Sequence, residues 1–412
     1  MHERVVITGT GTVNPLGLSV SQTWENVING ISGVGPISLF DPQDLLVQIA
    51  CEVKDFNPEM YMTHKDARRR DRYEQFASAA AKEAICQAGL EIDEENVSRV
   101  GVIVSSAIGG IKALQDNLLV MLENGARRIS PFVIPMLMSN GAAGLIAIDY
   151  GFQGPCFSVV SACASGTDGI GTAWLMIKSG MIEAAIAGGS EATITHIGMA
   201  AFDRLGAMSR RNEKGAVTPQ PFDLNRDGLV MGEGAAILVL ESEKHAKNRG
   251  AEILAELAGY GSTSDAFHIT APSENGIGGA KAIRGAMETA GINPEQVDYI
   301  NAHGTATRLN DLSETKAIKR ALGKQAFNVP VSATKSMTGH MMGTTGALEA
   351  ILCVQIIREN IIPPTINYQT PDPECDLDYV PNVSREKQVR VTLSNAFGFG
   401  GHNAVLVIRE YH

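Results

Sequence analysis

The sequence predicts an α/β protein in which one structural unit occurs twice, and three observations support this. Two segments share the order helix, Ala-Gly helix end, short acidic loop, strand and small-residue loop. Two others share the order strand, elbow and small-residue helix. The composition is that of a tightly packed globular protein, with 44% hydrophobic residues and 43 glycines in 412 residues. We therefore expect two similar halves, residues 1–250 and 251–412.

The first repeated unit comprises residues 73–107, and its counterpart comprises residues 278–304. In each copy the predicted helix ends at a glycine, Gly89 or Gly291, because glycine tolerates the left-handed conformation that closes a helix. A strand and a loop of small residues follow in both copies. Strand–helix units recur in every α/β protein, so the pattern fits either an internal duplication or ordinary α/β repetition.

The second repeated unit places a cysteine and a histidine at corresponding elbows. Residues 156–177 are predicted to form a strand, an elbow with Cys163 and a helix. Residues 331–357 are predicted to form a strand, a glycine-rich elbow with His340 and a helix from about Gly343. Ligands of open α/β sheets bind at the carboxyl ends of the strands. We therefore expect Cys163 and His340 to face one another in one active site between the halves.

Charge and hydropathy exclude several classes of function. The net charge of −11 disfavours a general nucleic-acid-binding protein. No apolar run reaches the ~18 residues of a membrane-spanning helix, and no secretory signal precedes the first strand. The six cysteines lack paired spacing, which indicates reduced thiols in a cytoplasmic protein rather than disulfides or a zinc site. Residues 9–14 lack the third glycine of a dinucleotide-binding fingerprint, so we interpret them as a turn at a strand end.

Cys163 is the strongest candidate for a nucleophile. Unpaired backbone N–H groups and the helix macrodipole at a helix N-terminus favour the thiolate, so we expect the pKa of Cys163 to fall. His303 and His340 lie in glycine-rich turns and supply hydrogen-bonding groups. The same three residues also fit a Cys/His hydrolase. They equally fit a soluble binding protein, either a metal-binding protein or a lipid carrier, that uses them as ligands.

Seven motifs lie along the chain in a recognisable order. They are Val6-Ile7-Thr8-Gly9 with Asn14-Pro15-Leu16-Gly17, the Cys163 elbow, Gly188-Gly189-Ser190-Glu191-Ala192, Pro221-Phe222-Asp223 with Arg226-Asp227-Gly228, Asn301-Ala302-His303-Gly304-Thr305, Lys335-Ser336-Met337-Thr338-Gly339-His340 and Phe397-Gly398-Phe399-Gly400-Gly401. With these motifs the chain resembles, from end to end, the β-ketoacyl-[acyl-carrier-protein] synthases of the thiolase superfamily. The resemblance implies an αβαβα layered fold with two pseudo-symmetric halves, each with a mixed five-stranded sheet.

Individual residues distinguish among the branches of that superfamily. Thiolases carry a second cysteine near the C-terminus, whereas no cysteine follows Cys375 here. Type-III synthases pair cysteine with histidine and asparagine, and chain-length factors lack the cysteine nucleophile. Ile108 resembles the type-II elongating enzymes, since type-I enzymes tend to carry a smaller residue there. The resemblance is therefore to the synthase II class, with type I as its near neighbour.

The resemblance implies that the chain elongates fatty acids by decarboxylative Claisen condensation. An acyl group moves from acyl carrier protein to Cys163 as a thioester. Malonyl-carrier then loses CO₂ and attacks this thioester, which gives 3-oxoacyl-carrier. A type-I synthase or a polyketide ketosynthase of the same mechanism is the alternative. Substrates arrive on the phosphopantetheine arm of the carrier, so we expect no separate cofactor and no metal. The resemblance also implies a homodimer.

The resemblance also implies a role for each candidate site residue. The expected catalytic residues are Cys163, His303, His340, Lys335 and Phe399. The backbone N–H groups of Cys163 and Phe399 are the expected oxyanion donors, and the Phe399 side chain is the expected gate. Glu349 is expected to pair with Lys335, either as a plain buried ion pair or as support for the His340 loop. Asp311 is expected to support the His303 loop.

Substrate and carrier contacts complete the expected site. The expected substrate-binding residues are Thr305, Thr307, Ile108, Phe202 and Phe397. A basic stretch on an acidic protein suits an acidic carrier protein, although such runs are usually solvated helix faces. Its residues share one predicted helical face at spacings of three and four, and an Arg-Arg pair downstream extends it. The expected carrier-binding residues are Lys65, Arg68, Arg69, Arg127 and Arg128.

Overall fold

The computed structural model describes residues 3–91, 93–94 and 96–412, with the backbone alone at 214–216. The strands are β1 Val5–Val13, β2 Gly35–Pro36, β3 Ile49–Ala50, β4 Val100–Ser105, β5 Cys156–Phe157, β6 Ala184–Glu191, β7 Gly234–Ser242, β8 Ala255–Ser264, β9 Tyr299–Asn301, β10 Val331–Ser332, β11 Ile361–Ile362, β12 Arg385–Glu386, β13 Val391–Gly398 and β14 His402–Arg409. The α-helices are α1 Val20–Ile28, α2 His64–Ala67, α3 Arg72–Ala88, α4 Ile111–Asn124, α5 Val133–Leu137, α6 Gly141–Tyr150, α7 Ser165–Lys178, α8 His196–Arg204, α9 Glu243–Asn248, α10 Ile277–Ala290, α11 Arg308–Leu322, α12 Lys335–Thr338 and α13 Thr345–Glu359.

Ten strands form one continuous mixed sheet in the order β10-β9-β13-β14-β8-β1-β7-β6-β4-β5. The two five-stranded sets join where β1 pairs with β8 antiparallel, Val6 opposite Glu256 and Ile7 opposite Ala255. The five strands of each set can be numbered by their order in the chain. From this join outward, both sets then have the same spatial order: first, fifth, fourth, second, third. The pairing directions also match, since the two outermost ladders of each set are parallel and the next two are antiparallel. The halves therefore have the same topology.

Three hydrophobic cores separate the layers. The central core contains α7 and α13 and lies between the two five-stranded sets. The outer cores contain α3 and α6 on the first set, and α10 and α11 on the second. Along β7 the side chains alternate between cores, with Leu238 and Leu240 in the central one and Ile237 and Val239 in the outer one. The αβαβα layering implied by the resemblance is thus observed.

Glycines let the outer helices approach the sheet in both halves. A Cβ at Gly9 or Gly11 of β1 would lie 2.1 Å from a backbone oxygen of α3. A Cβ at Gly259 or Gly261 of β8 would lie 2.4 and 2.2 Å from backbone oxygens of α10. Residues 9–13 therefore belong to a strand packed closely beneath a helix, and our interpretation of residues 9–14 as a turn was wrong for all but the last residue.

Both predicted elbows are present, but the strands before them are shorter than the apolar runs suggested. The apolar run from Phe157 to Val160 predicts a strand through Val160, but the strand ends at Phe157. The run from Val331 to Thr334 likewise predicts a strand through Thr334, but that strand ends at Ser332. In both places the chain then turns through a 3₁₀ segment and directly into a central helix. These segments are Ala162–Ala164 at the first elbow and Met342–Thr344 at the second. The two elbows consequently lie at one end of the central layer.

Candidate active site

The Cys163 elbow is a tight turn stabilised by its own serines. Ala162 adopts φ +52°, a left-handed conformation that is unfavourable for a residue with a Cβ. The Ser161 N–H donates to Ser165 Oγ at 2.9 Å, and the Ser165 hydroxyl donates to the Ala162 carbonyl at 2.6 Å. Cys163 is therefore presented from a strained but well-bonded turn, immediately ahead of α7.

The two histidines converge on the Cys163 sulfur. His340 Nε2 lies 3.1 Å from Cys163 Sγ, and His340 Nδ1 lies 3.1 Å from Thr345 Oγ1. The His303 ring stands edge-on to the His340 ring, with 5.4 Å between the ring centroids. One ligand atom from each of the three residues lies within 4.8 Å of the other two. By place in the 3₁₀ turns Cys163 corresponds to Gly343, and His340 lies three residues before Gly343. The prediction that Cys163 and His340 occupy equivalent positions was therefore wrong, although their side chains meet.

Two buried carboxylates support the loops around this cluster, and the sequence reasoning missed their roles. Glu314 of α11 accepts hydrogen bonds from the backbone N–H groups of His303 and Gly304, at 2.7 and 2.8 Å. Glu191 of β6 accepts from the backbone N–H groups of Ala107 and Gly343, at 2.8 and 3.1 Å. Burial raises the pKa of each carboxyl to about 7, although the hydrogen bonds from these N–H groups act to lower it.

The Asp311 carboxylate contacts the end of the His303 loop. Its carboxylate accepts from the Phe222 N–H at 2.8 Å and from the Ala306 N–H, while the Arg226 guanidinium lies 3.7 Å away. The carboxylate beneath His303 itself is Glu314, because α11 brings it three residues, nearly one turn, further along the same face. Asp311 therefore ties the end of the loop to the Phe222 segment.

Lys335 and Glu349 form a fully buried ion pair, with 2.6 Å between Lys335 Nζ and Glu349 Oε1. Each side chain is 1% exposed, and burial raises the pKa of the Glu349 carboxyl to about 7. The pair joins α12, which leads into the His340 loop, to α13, which follows it. The Lys335 charge also acts on Cys163, His303 and His340, so the pair influences the whole cluster.

The electrostatics of Cys163 differ from the expectation. Burial raises the pKa of this thiol to about 11, and its backbone contacts with the N–H groups of Phe399 and of Cys163 itself, together with Lys335, lower it only in part. The prediction of a depressed pKa was therefore wrong, because the thiol is 4% exposed and desolvation outweighs the helix terminus. Burial and the Lys335 charge lower the pKa of both His303 and His340 well below its ordinary value, which favours neutral imidazoles.

The Phe399 segment closes over the elbow. A Cβ at Gly398 would lie 2.9 Å from the Ser161 carbonyl oxygen and 3.0 Å from the Cys163 nitrogen, so only glycine permits this approach. Gly400 and Gly401 follow with φ +81° and +74°. The Gly400 N–H donates to the Ile269 carbonyl at 2.7 Å, which fixes the segment to a neighbouring loop. Phe399 is half-buried, at the boundary between the cysteine and the surface.

A cavity of about 340 Å³ leads from the surface to the cluster. Its inner wall contains Cys163, His303 and His340. Of the predicted substrate-binding residues, the cavity wall includes Thr305, Thr307, Phe202 and Phe397. Thr305 Oγ1 and Thr307 Oγ1 lie 3.0 Å apart, so the two hydroxyls present one polar strip.

Ile108 lies beside this cavity rather than in its wall. Its half-buried side chain packs against a cluster of apolar residues that includes Cys163, Phe202 and Met342. Its backbone N–H donates to Glu191 at 3.3 Å. Ile108 thus adjoins the apolar surroundings of the nucleophile.

The predicted basic patch is exposed, but it is not a helical face. Helix α2 ends at Ala67, so Arg68 is its cap and Arg69 lies beyond it. Lys65, Arg68 and Arg69 are nevertheless exposed, as are Arg127 and Arg128 in a 3₁₀ turn. The Arg69 guanidinium lies 4.7 Å from the ring centroid of Phe132, which follows that turn. This contact makes the two basic segments one continuous surface, although the spacing argument from a single helix was wrong.

Comparison with known proteins gives the family. The model of the β-ketoacyl synthase N-terminal domain matches residues 2–246, and that of the C-terminal domain matches residues 254–369. The chain belongs to the β-ketoacyl synthase family. It is 47% identical over 409 residues to a Synechocystis sp. protein, covering 99% of this chain and 98% of that one. It is 47% identical over 410 residues to a Staphylococcus aureus (strain COL) protein, with 100% and 99% covered. Both relatives are named 3-oxoacyl-[acyl-carrier-protein] synthase 2.

Solved structures of ketosynthases have the same fold as this β-ketoacyl synthase. The ishigamide ketosynthase/chain length factor matches with a TM-score of 0.94 and 37% identity, covering 100% of both chains. A type II polyketide acyl-carrier protein complex with its ketosynthase, bound to the hexaketide, matches with a TM-score of 0.93 and 36% identity, again covering 100% of both. These matches confirm the predicted family and fold.

Within residues 3–91, 93–94 and 96–412, no helix is both long and apolar enough to cross a membrane.

Proposed function

We propose that this protein elongates fatty acyl chains by decarboxylative condensation of malonyl-carrier with an acyl group held on Cys163. The observation that carries the proposal is the buried cluster in which His340 Nε2 lies 3.1 Å from Cys163 Sγ and the His303 ring adjoins His340. A soft nucleophile and two neutral hydrogen-bond donors are the groups that thioester exchange followed by enolate formation requires. Family membership and the names of the relatives support the same activity.

The first step transfers the acyl group to the enzyme. The Cys163 sulfur attacks the carrier thioester, the carrier sulfur leaves, and the thiol proton ends on the departing carrier thiol. Because burial raises the pKa of Cys163 to about 11, the proton must leave during attack, and the neutral imidazole of His340 is in contact to relay it. The backbone N–H groups of Cys163 and Phe399 face the sulfur region and stabilise the tetrahedral oxyanion.

The second step forms the carbon–carbon bond. Malonyl-carrier loses CO₂, and the electron pair of the broken bond becomes an enolate whose oxygen accepts hydrogen bonds from His303 and His340. Neutral imidazoles suit this role, since the Lys335 charge and burial disfavour their protonation. The enolate carbon attacks the Cys163 thioester, the C–S bond breaks to release 3-oxoacyl-carrier, and the resulting cysteine thiolate takes up one proton from solvent. The reaction as written requires no separate cofactor.

The substrates enter on the arm of an acyl carrier protein. The cavity whose wall includes Cys163 gives a pantetheine arm access to the nucleophile, and Thr305 and Thr307 offer hydroxyls in the same wall. The patch of Lys65, Arg68 and Arg69 with Arg127 and Arg128 provides cations for an acidic carrier. Phe399 acts as the gate between the arm and the nucleophile, because it is flanked by glycines at the cavity wall.

A second copy of the chain completes the assembly. Apolar side chains are exposed together on α4 and in the segment that follows it: Leu114, Leu118, Leu119, Met121, Leu122, Ile134 and Met138. An exposed apolar face of this extent is typical of a protein–protein interface. Strand β5 also ends the sheet without a further neighbour among the described strands. We assign these features to a homodimer contact, in a cytoplasmic enzyme.

The test is product formation from purified carriers. The protein with acyl-carrier and malonyl-carrier should yield 3-oxoacyl-carrier and one CO₂ for each chain extended. A Cys/His hydrolase would instead release free fatty acid steadily from acyl-carrier alone. A metal-binding protein would contain stoichiometric zinc, since the thiol and the two imidazoles have metal-ligand spacing. One of the similar solved structures contains a polyketide ketosynthase. An enzyme of that kind would extend its product repeatedly without an intervening reduction.

A further inference from the structure

The Asp168 carboxylate, in the first turn of α7, joins the two halves of the molecule at the nucleophile elbow. It is 7% exposed and accepts two hydroxyl donors, Tyr260 Oη and Ser161 Oγ, each at 2.5 Å. Tyr260 lies on β8, in the second half of the chain. A Cβ at Gly171 would lie 2.4 Å from the Tyr260 ring, so the glycine lets this ring lie directly against α7.

Ser161 transmits this anchoring to the cysteine. It precedes Ala162, whose φ of +52° requires restraint by its surroundings. The Ser161 carbonyl accepts from the Ala164 N–H at 3.1 Å, and the Ser161 N–H donates to Ser165 at 2.9 Å. The side chain of Ser161 is thus held by Asp168 while its backbone closes the turn around Cys163. Hydrogen bonds from hydroxyls to a buried carboxylate are strong enough to fix such a turn.

We propose that Asp168 and Tyr260 are positioning residues that hold Ser161, and through it the Cys163 N–H, in the geometry required for acylation. The inference rests on the proposed function and assigns to the second half of the chain a direct part in orienting the nucleophile. Burial and the neighbouring Asp168 raise the pKa of Tyr260, so its phenol stays protonated and remains a donor. The two histidines are held by other groups, His303 through its backbone N–H to Glu314 and His340 through Nδ1 to Thr345.

The experiment measures the two half-reactions separately in the full-length protein. Asp168→Ala should slow acylation of Cys163 by acyl-carrier about 10- to 100-fold, since small misplacements of reacting groups have effects of that size. Tyr260→Phe should give a smaller loss. Asp168→Asn should recover most of the rate, because its oxygen can accept from one hydroxyl while its NH₂ donates to the other, and a hydroxyl, unlike a backbone N–H, can also accept. Decarboxylation of malonyl-carrier, measured with Asp168→Ala added to a Cys163→Gln protein, should keep the rate of Cys163→Gln alone.

Tyr411→Phe is the matched control, because it removes another phenol-to-carboxylate hydrogen bond, 2.6 Å long and made to Glu243 outside the site. It should leave acylation unchanged. Equal losses of acylation and decarboxylation in Asp168→Ala, with a fall in melting temperature, would show a merely structural role and overturn the inference. Unchanged acylation in Asp168→Ala would also overturn it. If the wild-type protein formed no acyl-enzyme at all, the proposed function would fail first.

Discussion

At Cys163, burial and hydrogen bonding act in opposite directions on one thiol. Desolvation raises its pKa to about 11, whereas the backbone N–H groups and Lys335 lower it. The thiol is therefore protonated at neutral pH, and its reactivity depends on His340, 3.1 Å away, rather than on a standing thiolate.

The pH dependence of alkylation tests this description of Cys163. Below the pKa the thiolate fraction increases about tenfold for each pH unit, so iodoacetamide should modify Cys163 at a rate still rising at about pH 10. The measurement is peptide-resolved mass spectrometry across pH, with a small-molecule thiol as the reference. A rate that levels off below about pH 8 would contradict a raised pKa.

Ile108→Phe tests whether Ile108 lies at the end of the region that binds the acyl chain. Ile108 packs in the apolar cluster around Cys163 and Phe202, and a larger ring there would cost about 1–3 kcal/mol through overpacking. Short primers leave that region empty, so acylation with them should persist while long primers lose rate. Acylation rates over a series of primer lengths decide it, with the melting temperature as control. Equal loss for all primers would mean that Ile108 is ordinary core.

At the scale of elements, the catalytic loops are held by carboxylates on neighbouring helices and strands. Glu314 on α11 binds the His303 backbone, Glu191 on β6 binds the Gly343 elbow, and Glu349 on α13 binds Lys335. The first two connect a loop at the end of a strand to a regular element, and the third joins the helices on either side of the His340 loop, so loop geometry follows the rigid scaffold. Loops without such ties would leave backbone N–H groups buried and unpaired.

Glu314→Gln should slow condensation and destabilise the protein by about 1–3 kcal/mol, because an amide cannot accept from both backbone N–H groups without presenting a donor to one of them. The matched control is Glu83→Gln, since the Glu83 carboxylate holds the N–H groups of Thr12 and Val20 outside the site, at 2.9 and 2.8 Å. Unfolding and turnover are measured for both. The control should lose stability while turnover is kept, and a similar loss of turnover in both would refute the positioning role of Glu314.

The elements could be predicted where the chain carries a local signal. Gly89 and Gly291 end α3 and α10 in the left-handed conformation, as predicted from the two Ala-Gly pairs. The ends of β5 and β10 could not be predicted, because apolar residues continue past the last ladder bond and local pattern does not distinguish a strand from an apolar elbow. The carboxylate partners were missed for a related reason: a hydrogen bond to a backbone N–H leaves no sequence signal.

At the scale of the whole molecule, two halves of equal topology share one central layer. Helices α7 and α13 occupy equivalent places, and their elbows meet so closely that a Cβ at Gly166 would lie 2.6 Å from the Gly343 oxygen. The sequence predicted the repetition and the meeting of the elbows. It could not predict that the two five-stranded sets join through β1 and β8, since only two residue pairs make that contact. The division at residue 250 stays a prediction.

The proposed carrier surface belongs to the scale of the whole molecule, because it would join segments far apart in the chain. Reversing Lys65, Arg68 and Arg69 to glutamate should weaken turnover of carrier-bound substrates, with little effect on small pantetheine thioesters. The wild-type advantage should shrink as salt rises, since exposed charges are screened. Reversal of the exposed Lys244, Lys281 and Lys324 is the control and should change neither substrate class. Equal loss with both substrate classes would indicate a structural patch.

The most direct test of the central claim follows the two half-reactions on the intact protein by mass spectrometry. With acyl-carrier alone, the wild-type protein should gain one acyl mass on Cys163, and added malonyl-carrier should discharge it as 3-oxoacyl-carrier with release of CO₂. Cys163→Gln should gain no acyl mass but still release CO₂ from malonyl-carrier, because His303 and His340 remain. If Cys163→Gln still elongates acyl chains, or if the wild-type protein never holds an acyl group, the proposed mechanism is wrong.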